Sequence, residues 1–203
     1  MFKKLILTVL LVLLMVPSVS AQFLGQMASA RAKATASGAL DAYLVLADGA
    51  TGVVGSVRYG LAPFIELRGR MGYLDPDYGD GSVIVGGDFK YQLWEFGRDL
   101  PCDLSFGAAT VYTKLNEVSL FSLGGNVTAS IPFEAGTAAS IEPYATFHLR
   151  YQRLGYKGDS DTSLEAALSL GGVFSFSRLT DFTAEILIDD DTAFLIGFTF
   201  LKF

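Results

Sequence analysis

From residue 22 to Phe203 the chain repeats one pattern: strand-length runs in which every second residue is apolar and the residues between are polar or small. A period of two is the period of a β-strand, whose side chains alternate between two faces. The pattern predicts ten strands, over residues 37–47, 52–60, 64–73, 83–94, 103–113, 120–133, 140–154, 164–176, 182–188 and 193–203. Their lengths bracket the roughly 9–11 residues that a tilted strand needs to cross a bilayer. No longer repeat of the solenoid or propeller kind is present.

Parity within the runs assigns faces. In the third, Ile65, Leu67, Gly69, Met71 and Tyr73 share one side, and Glu66, Arg68 and Arg70 the other. The fourth sets Val85, Phe89, Tyr91 and Leu93 against Asp88, Lys90 and Gln92; the seventh sets Ile141, Phe147, Leu149 and Tyr151 against Glu142, Tyr144, His148, Arg150 and Gln152. A charge facing lipid costs about 2–4 kcal/mol at the bilayer midplane, so in a membrane the charged side is the lumen. The apolar-side aromatics fall at two levels: Tyr73, Tyr112, Phe121 and Tyr151 at one end, Tyr59, Tyr91, Phe133, Phe176 and Phe182 at the other. Two such belts mark bilayer interfaces. A soluble barrel with one wet face has the same alternation. It would have to gather Phe89, Phe121, Phe147, Phe174 and Phe182 into one core, leave Arg68, Arg70 and Arg150 outside, and make the belts a coincidence.

The N-terminus reads as an export signal: Lys3 and Lys4, an apolar run over residues 5–16 broken by Pro17, and the small residues Val19-Ser20-Ala21 before Gln22. The expected organisation is a cleavable signal at 1–21, a loosely structured lead-in at 22–36 carrying Arg31 and Lys33, and one barrel domain at 37–203. Losing Lys3 and Lys4 takes the formal charge from −6 to −8, which speaks against nucleic acid as a partner. A lone cysteine, Cys102, permits no internal disulfide. No run of the mature chain is apolar for long enough to span as a helix, so entry into a membrane demands a closed barrel, which leaves no backbone group unpaired in hydrocarbon.

The chain resembles the small bacterial outer-membrane β-barrel proteins. The export signal, the alternating strands and the closing Gly197-Phe198-Thr199-Phe200-Leu201-Lys202-Phe203 carry the resemblance. That tail is similar to the signal by which the barrel-assembly machinery recognises its clients, with Gly197, Phe200, Leu201 and Phe203 at the positions concerned. Leu201 stands where an aromatic is frequent. The resemblance implies an all-β, antiparallel transmembrane barrel of about ten strands, alternatively eight, closed, with both termini periplasmic. It also implies outer-membrane lipid and lipopolysaccharide as surroundings, and it identifies no small solute.

The expected lumen collects Arg58, Arg68, Arg70, Lys90 and Arg150 with Asp41, Glu66, Asp88, Glu142, Glu165 and Glu185. Facing neighbours can pair, Glu66 or Arg68 with Asp88 or Lys90. In a narrow barrel such mixed charges plug rather than conduct. Glycine pairs opening at Gly86, Gly124 and Gly171 make room for the arginines or let the sheet bend. The single histidine, His148, has no Asp-x-His or His-x-Ser spacing around it and reads as a hydrogen-bonding lumen residue. Asp75, Asp77 and Asp80 suggest a divalent-ion loop, but the twelfth position from Asp75 is Gly86 rather than Glu, so EF-hand spacing fails. No catalytic residue, cofactor or metal site is expected. The function expected is a structural envelope barrel or a narrow small-solute channel. Receptor or adhesin, and lipid-modifying surface enzyme, are the alternatives, weakened by short loops and by the missing dyad or triad.

Overall fold

The computed structural model describes residues 25–77, 80–95, 101–115, 118–135, 139–156, 159–177, 179–189 and 192–203. The expected signal peptide and its cleavage site lie outside these residues, as do Tyr78, Gly79, Asp190 and Asp191 of the acidic loops and the side chain of Leu201. All regular structure among the described residues is strand: β1 Gly38–Ala47, β2 Ala50–Ala62, β3 Ile65–Pro76, β4 Ser82–Trp94, β5 Asp103–Leu115, β6 Val118–Ser130, β7 Phe133–Ala135, β8 Ala139–Tyr156, β9 Asp159–Ser175, β10 Asp181–Ile188 and β11 Thr192–Lys202.

Each strand pairs antiparallel with its sequence neighbour, β1 pairs with β11, and β6 pairs directly with β8. The ring is therefore closed. The three residues of β7 continue β6 along β8 after an interruption at Ile131 and Pro132, where proline supplies no N–H to the ladder and Ile131 N donates instead to Pro143 O at 3.1 Å. The circumference is ten strands, not eight. Closure is completed at the last residue, where Gly38 and Phe203 exchange backbone hydrogen bonds of 2.6 and 3.1 Å.

One end of the barrel carries the start of β1, the close of β11 and the connections β2–β3, β4–β5, β6–β8 (through β7) and β9–β10; this is the terminal end. The opposite, far end carries the other connections. Far-end strands are longer than the alternation suggests: β3 runs on to Pro76, and the loop expected at 155–163 is mostly strand, since β8 reaches Tyr156 and β9 begins at Asp159. The register breaks, at Leu40/Asp41, Gly60/Ala62 and Gln92/Trp94, all lie towards the terminal end. Bulges at a barrel rim let strands end and turn without distorting the wall.

Outward positions carry large apolar side chains around the whole ring, among them Val53, Met71, Val85, Phe106, Leu123, Phe147, Leu164 and Ile196. The charged outward side chains of the described strands are Asp75, Lys114 and Arg153, each near the far rim. Inward positions show the converse. No described helix is long and apolar enough to cross a membrane, which has no bearing on strands.

Candidate functional site

The interior of the barrel holds the polar chemistry, and it is layered. Towards the terminal end and at mid-depth, carboxylates pair with cationic groups on adjacent strands that stand opposite or two residues off in the antiparallel register. Asp41 on β1 takes both Arg58 Nε at 2.8 Å and Arg58 Nη2 at 2.6 Å, and also accepts from Ser56 Oγ (2.9 Å) and Thr199 Oγ1 (2.6 Å). Asp88 on β4 receives Arg70 in the same two-pronged way, with Arg68 Nε 3.7 Å away. Glu66 lies between Lys90 (3.5 Å) and Arg68 (3.8 Å). Forked guanidinium–carboxylate contact fixes geometry as well as charge, which suits buried pairs.

Further round the ring, Arg150 pairs with Glu165 at 3.0 Å and with Asp189, and Ser163 Oγ donates to Glu165 at 2.7 Å. Glu185, at mid-depth on β10, accepts from Tyr144 on β8. Glu142 sits half-buried at the terminal mouth and accepts from Ser130 Oγ at 2.7 Å. Gly86 and Gly124 leave space beside arginine stems: a Cβ there would stand 3.2 Å from Arg70 Cγ and 2.7 Å from Arg150 Cβ. Gly171 clears space for the Tyr144 ring instead, and Gly197 for Tyr43. Phe200 and Phe203 face outward and are exposed.

His148 is 1% exposed, and its Nε2 lies 3.1 Å from Ser169 Oγ on β9. Sequence spacing around His148 could not reveal this partner, because register and not proximity in the chain brings β9 alongside. Ser169 is itself 0% exposed, so the pair presents neither group to a substrate. Among the described residues no group of three or more His, Cys, Asp or Glu could hold a metal ion.

Beside the Arg150–Glu165–Asp189 group, the far half of the interior holds an apolar cluster, which the sequence reading did not anticipate. Val45, Val54, Leu74, Ile84, Val111, Leu187 and Leu195 are all buried there and form one cluster, with Met27 against its lower side. Parity marks these positions as inward, but only the ring brings together residues from seven strands.

The lead-in also departs from expectation. Residues 25–30 are buried inside the barrel, and the segment is gripped mainly through its backbone. Lys33 N donates to Glu66 on β3 (3.0 Å), Ala32 N to Gln92 on β4 (3.0 Å), and Ala30 N to Ser130 on β6 (3.1 Å). Arg31 meets Asp103 on β5 through its side chain at 2.9 Å. Four consecutive residues thus meet four consecutive strands. Deeper in, Gln26 N and Met27 N both donate to Glu185, while Arg68, Arg70 and Lys90 donate to the carbonyls of Gln26, Gly25 and Ser29. Beside the segment, a cavity of about 240 Å³ at the terminal mouth is lined in part by Lys33, Arg58, Glu142 and Asp181. Burial lowers the Lys33 ammonium to about 8, against the opposing pull of Glu66 and Asp181.

Fold and interior together define a closed, ten-stranded antiparallel barrel with a filled lumen. No family model matches the chain, and no curated protein matches it. Solved structures similar to it are small membrane barrels. A designed transmembrane β-barrel is 14% identical over 85% of this chain and 100% of that one, with a TM-score of 0.39. The KdgM porin is 11% identical over 80% and 98%, at 0.41; the Acinetobacter baumannii outer membrane protein Omp33 is 10% identical over 82% and 98%, at 0.39. With superposition this loose, the chain's own surfaces have to carry any functional reading.

Proposed function

We propose that this chain is an integral barrel of a bacterial outer membrane, with the terminal end in the periplasm, and that it serves the envelope as a closed structural barrel rather than an open pore. One observation carries the membrane part: outward side chains between the rims are apolar and uncharged, while charged side chains point inward. Soluble monomers rarely expose a contiguous apolar surface of that extent. Lipid and, at the far rim, lipopolysaccharide are the partners this surface suits. Gly197, Phe200, Leu201 and Phe203 form the segment offered to the assembly machinery, on a strand that also closes the ring.

The closed-lumen part rests on the apolar cluster in one half and the docked lead-in in the other. Receptor, adhesin and enzyme readings have less support, because far-end connections are short and His148 is sealed inside. Two measurements test the proposal. The mature protein should need detergent or lipid to stay monodisperse, and in planar bilayers it should give small conductance steps or none. Free solubility would sink the membrane reading; large, stable steps would sink the closed lumen. Loss of a lipid or peptide hydrolysis on His148→Ala would revive the enzyme.

A further inference from the structure

We infer that the terminal half of the lumen is a binding site for an irregular, non-helical polypeptide segment, occupied here in cis by residues 25–33. The walls satisfy a main chain at both its donors and its acceptors. Glu66, Gln92, Ser130 and Glu185 accept from five backbone N–H groups, while Arg68, Arg70 and Lys90 donate to three carbonyls. Backbone groups are the same in every sequence, so recognition of this kind selects a chain with unpaired backbone groups rather than particular side chains.

The side chains of the segment fit the same account. Gly25, Ala28, Ser29, Ala30, Ala32 and Ala34 are small, as a narrow lumen demands. Among the described residues, Arg31 against Asp103 is the one side-chain ion pair it makes, at a mouth lined also by Glu142 and by Asp181, the latter paired with Lys202. The ligand class is therefore a non-helical peptide of small residues with a basic C-terminal part.

Two features mark the segment as a ligand of the wall rather than a part of it. It contributes no strand to the ring, which closes without it. It also holds Met27 in the left-handed region, at φ 47°, a conformation that contacts must impose on an L-residue. The chain reverses into β1 at Ala36, exposed and also left-handed (φ 59°), whose N–H donates to Gly60 O at 2.8 Å; β1 itself begins at Gly38, so release of the segment leaves the strand pairing intact. The site does not depend on the membrane reading. Its far side is closed by the apolar cluster, so an emptied site is a blind vestibule and not a channel.

The test uses the full mature chain in detergent and a fluorescein-labelled synthetic peptide covering residues 25–35. Ala30→Pro with Ala32→Pro removes two of the N–H donors of the resident segment and leaves the walls untouched. Peptide anisotropy should report binding at least about tenfold tighter to this variant than to the wild type, whose site is filled. A peptide with the same two prolines should bind neither. Equal binding to both proteins, or none to the variant, overturns the inference. Should the variant fail to fold, hydrogen exchange on the wild type decides. The amides of Gln26, Met27, Ala30, Ala32 and Lys33 should exchange while those of β3 and β4 stay protected. Exchange of all of them together, only on global unfolding, makes the segment part of the core and refutes the site.

Discussion

The two halves of the interior solve one packing problem in different ways. In the far half, side chains from the wall fill the space, as Leu74, Ile84 and Leu195 do with at most 1% exposure, with Met27 of the segment packed against them. In the terminal half the wall bears shorter or charged groups, and the residual volume is taken by a length of the chain's own backbone. Eight strands enclose a space that side chains just fill; ten enclose more, so something else must enter one half. A main chain brings N–H and C=O groups that burial leaves costly unless paired. That requirement explains why Glu66, Glu185, Arg68, Arg70 and Lys90 line the half that holds the segment, while the far half combines the apolar cluster with the Arg150–Glu165–Asp189 group.

The largest effect that would break this comparison comes from the polar half. Asp41→Ala strands Arg58 without its forked partner, and the unfolding free energy in detergent should fall by about 3–5 kcal/mol in a urea titration. A loss under about 1 kcal/mol would mean that solvent reaches the pair. In the apolar half, Leu195→Ala should cost about 2–5 kcal/mol by cavity formation in the same titration. If it proves harmless, the far half is loosely filled.

A sharper contrast runs across the wall itself. Val127 points outward and is 47% exposed, whereas Thr128 is fully buried and hydrogen-bonded to Thr146 at 2.9 Å. Val127→Arg should cost about 2–4 kcal/mol in lipid vesicles. Thr128→Val, which keeps the shape and loses one hydrogen bond, should cost about 1 kcal/mol. Parity alone suggests that an arginine is tolerated at residue 128, but the filled lumen leaves it no room. Reversal of the two effects would put the wrong face in the membrane.

The smallest effect is a pH slope. Lys33 titrates near 8 in the folded protein and near 10.5 when released, so between those values the unfolded state binds more protons. Stability should therefore rise as pH goes from about 8 to 10.5. The penalty for holding the ammonium in the mouth is fully present below 8. Lys33→Met should flatten the difference in urea midpoint between pH 7.5 and 10; an unchanged slope would remove Lys33 from the mouth.

Much of the barrel is legible along the chain because the period-two pattern and the membrane impose the same constraint on every residue. Glu66, Arg68 and Arg70 stand opposite Lys90, Asp88 and Gly86 in register, and their shared inward parity can be read off the sequence. Partners two or more strands apart cannot. Tyr144 beside Glu185, and Gln26 and Met27 on the same carboxylate, are separated from it by 41 to 159 residues. The lead-in misled for a related reason: Ala, Ser and Gly with scattered charge read as loose chain, since the partners of its backbone are absent from its own sequence.

By itself the sequence determined the alternation, the strand count to within a hairpin and the side on which charge lies, because these follow from local geometry and from the cost of exposing charge to hydrocarbon. Closure of the ring decided the rest. It set the lumen's width, gathered apolar side chains from seven strands into the far half, and left in the other half a space that one length of the chain's own backbone occupies.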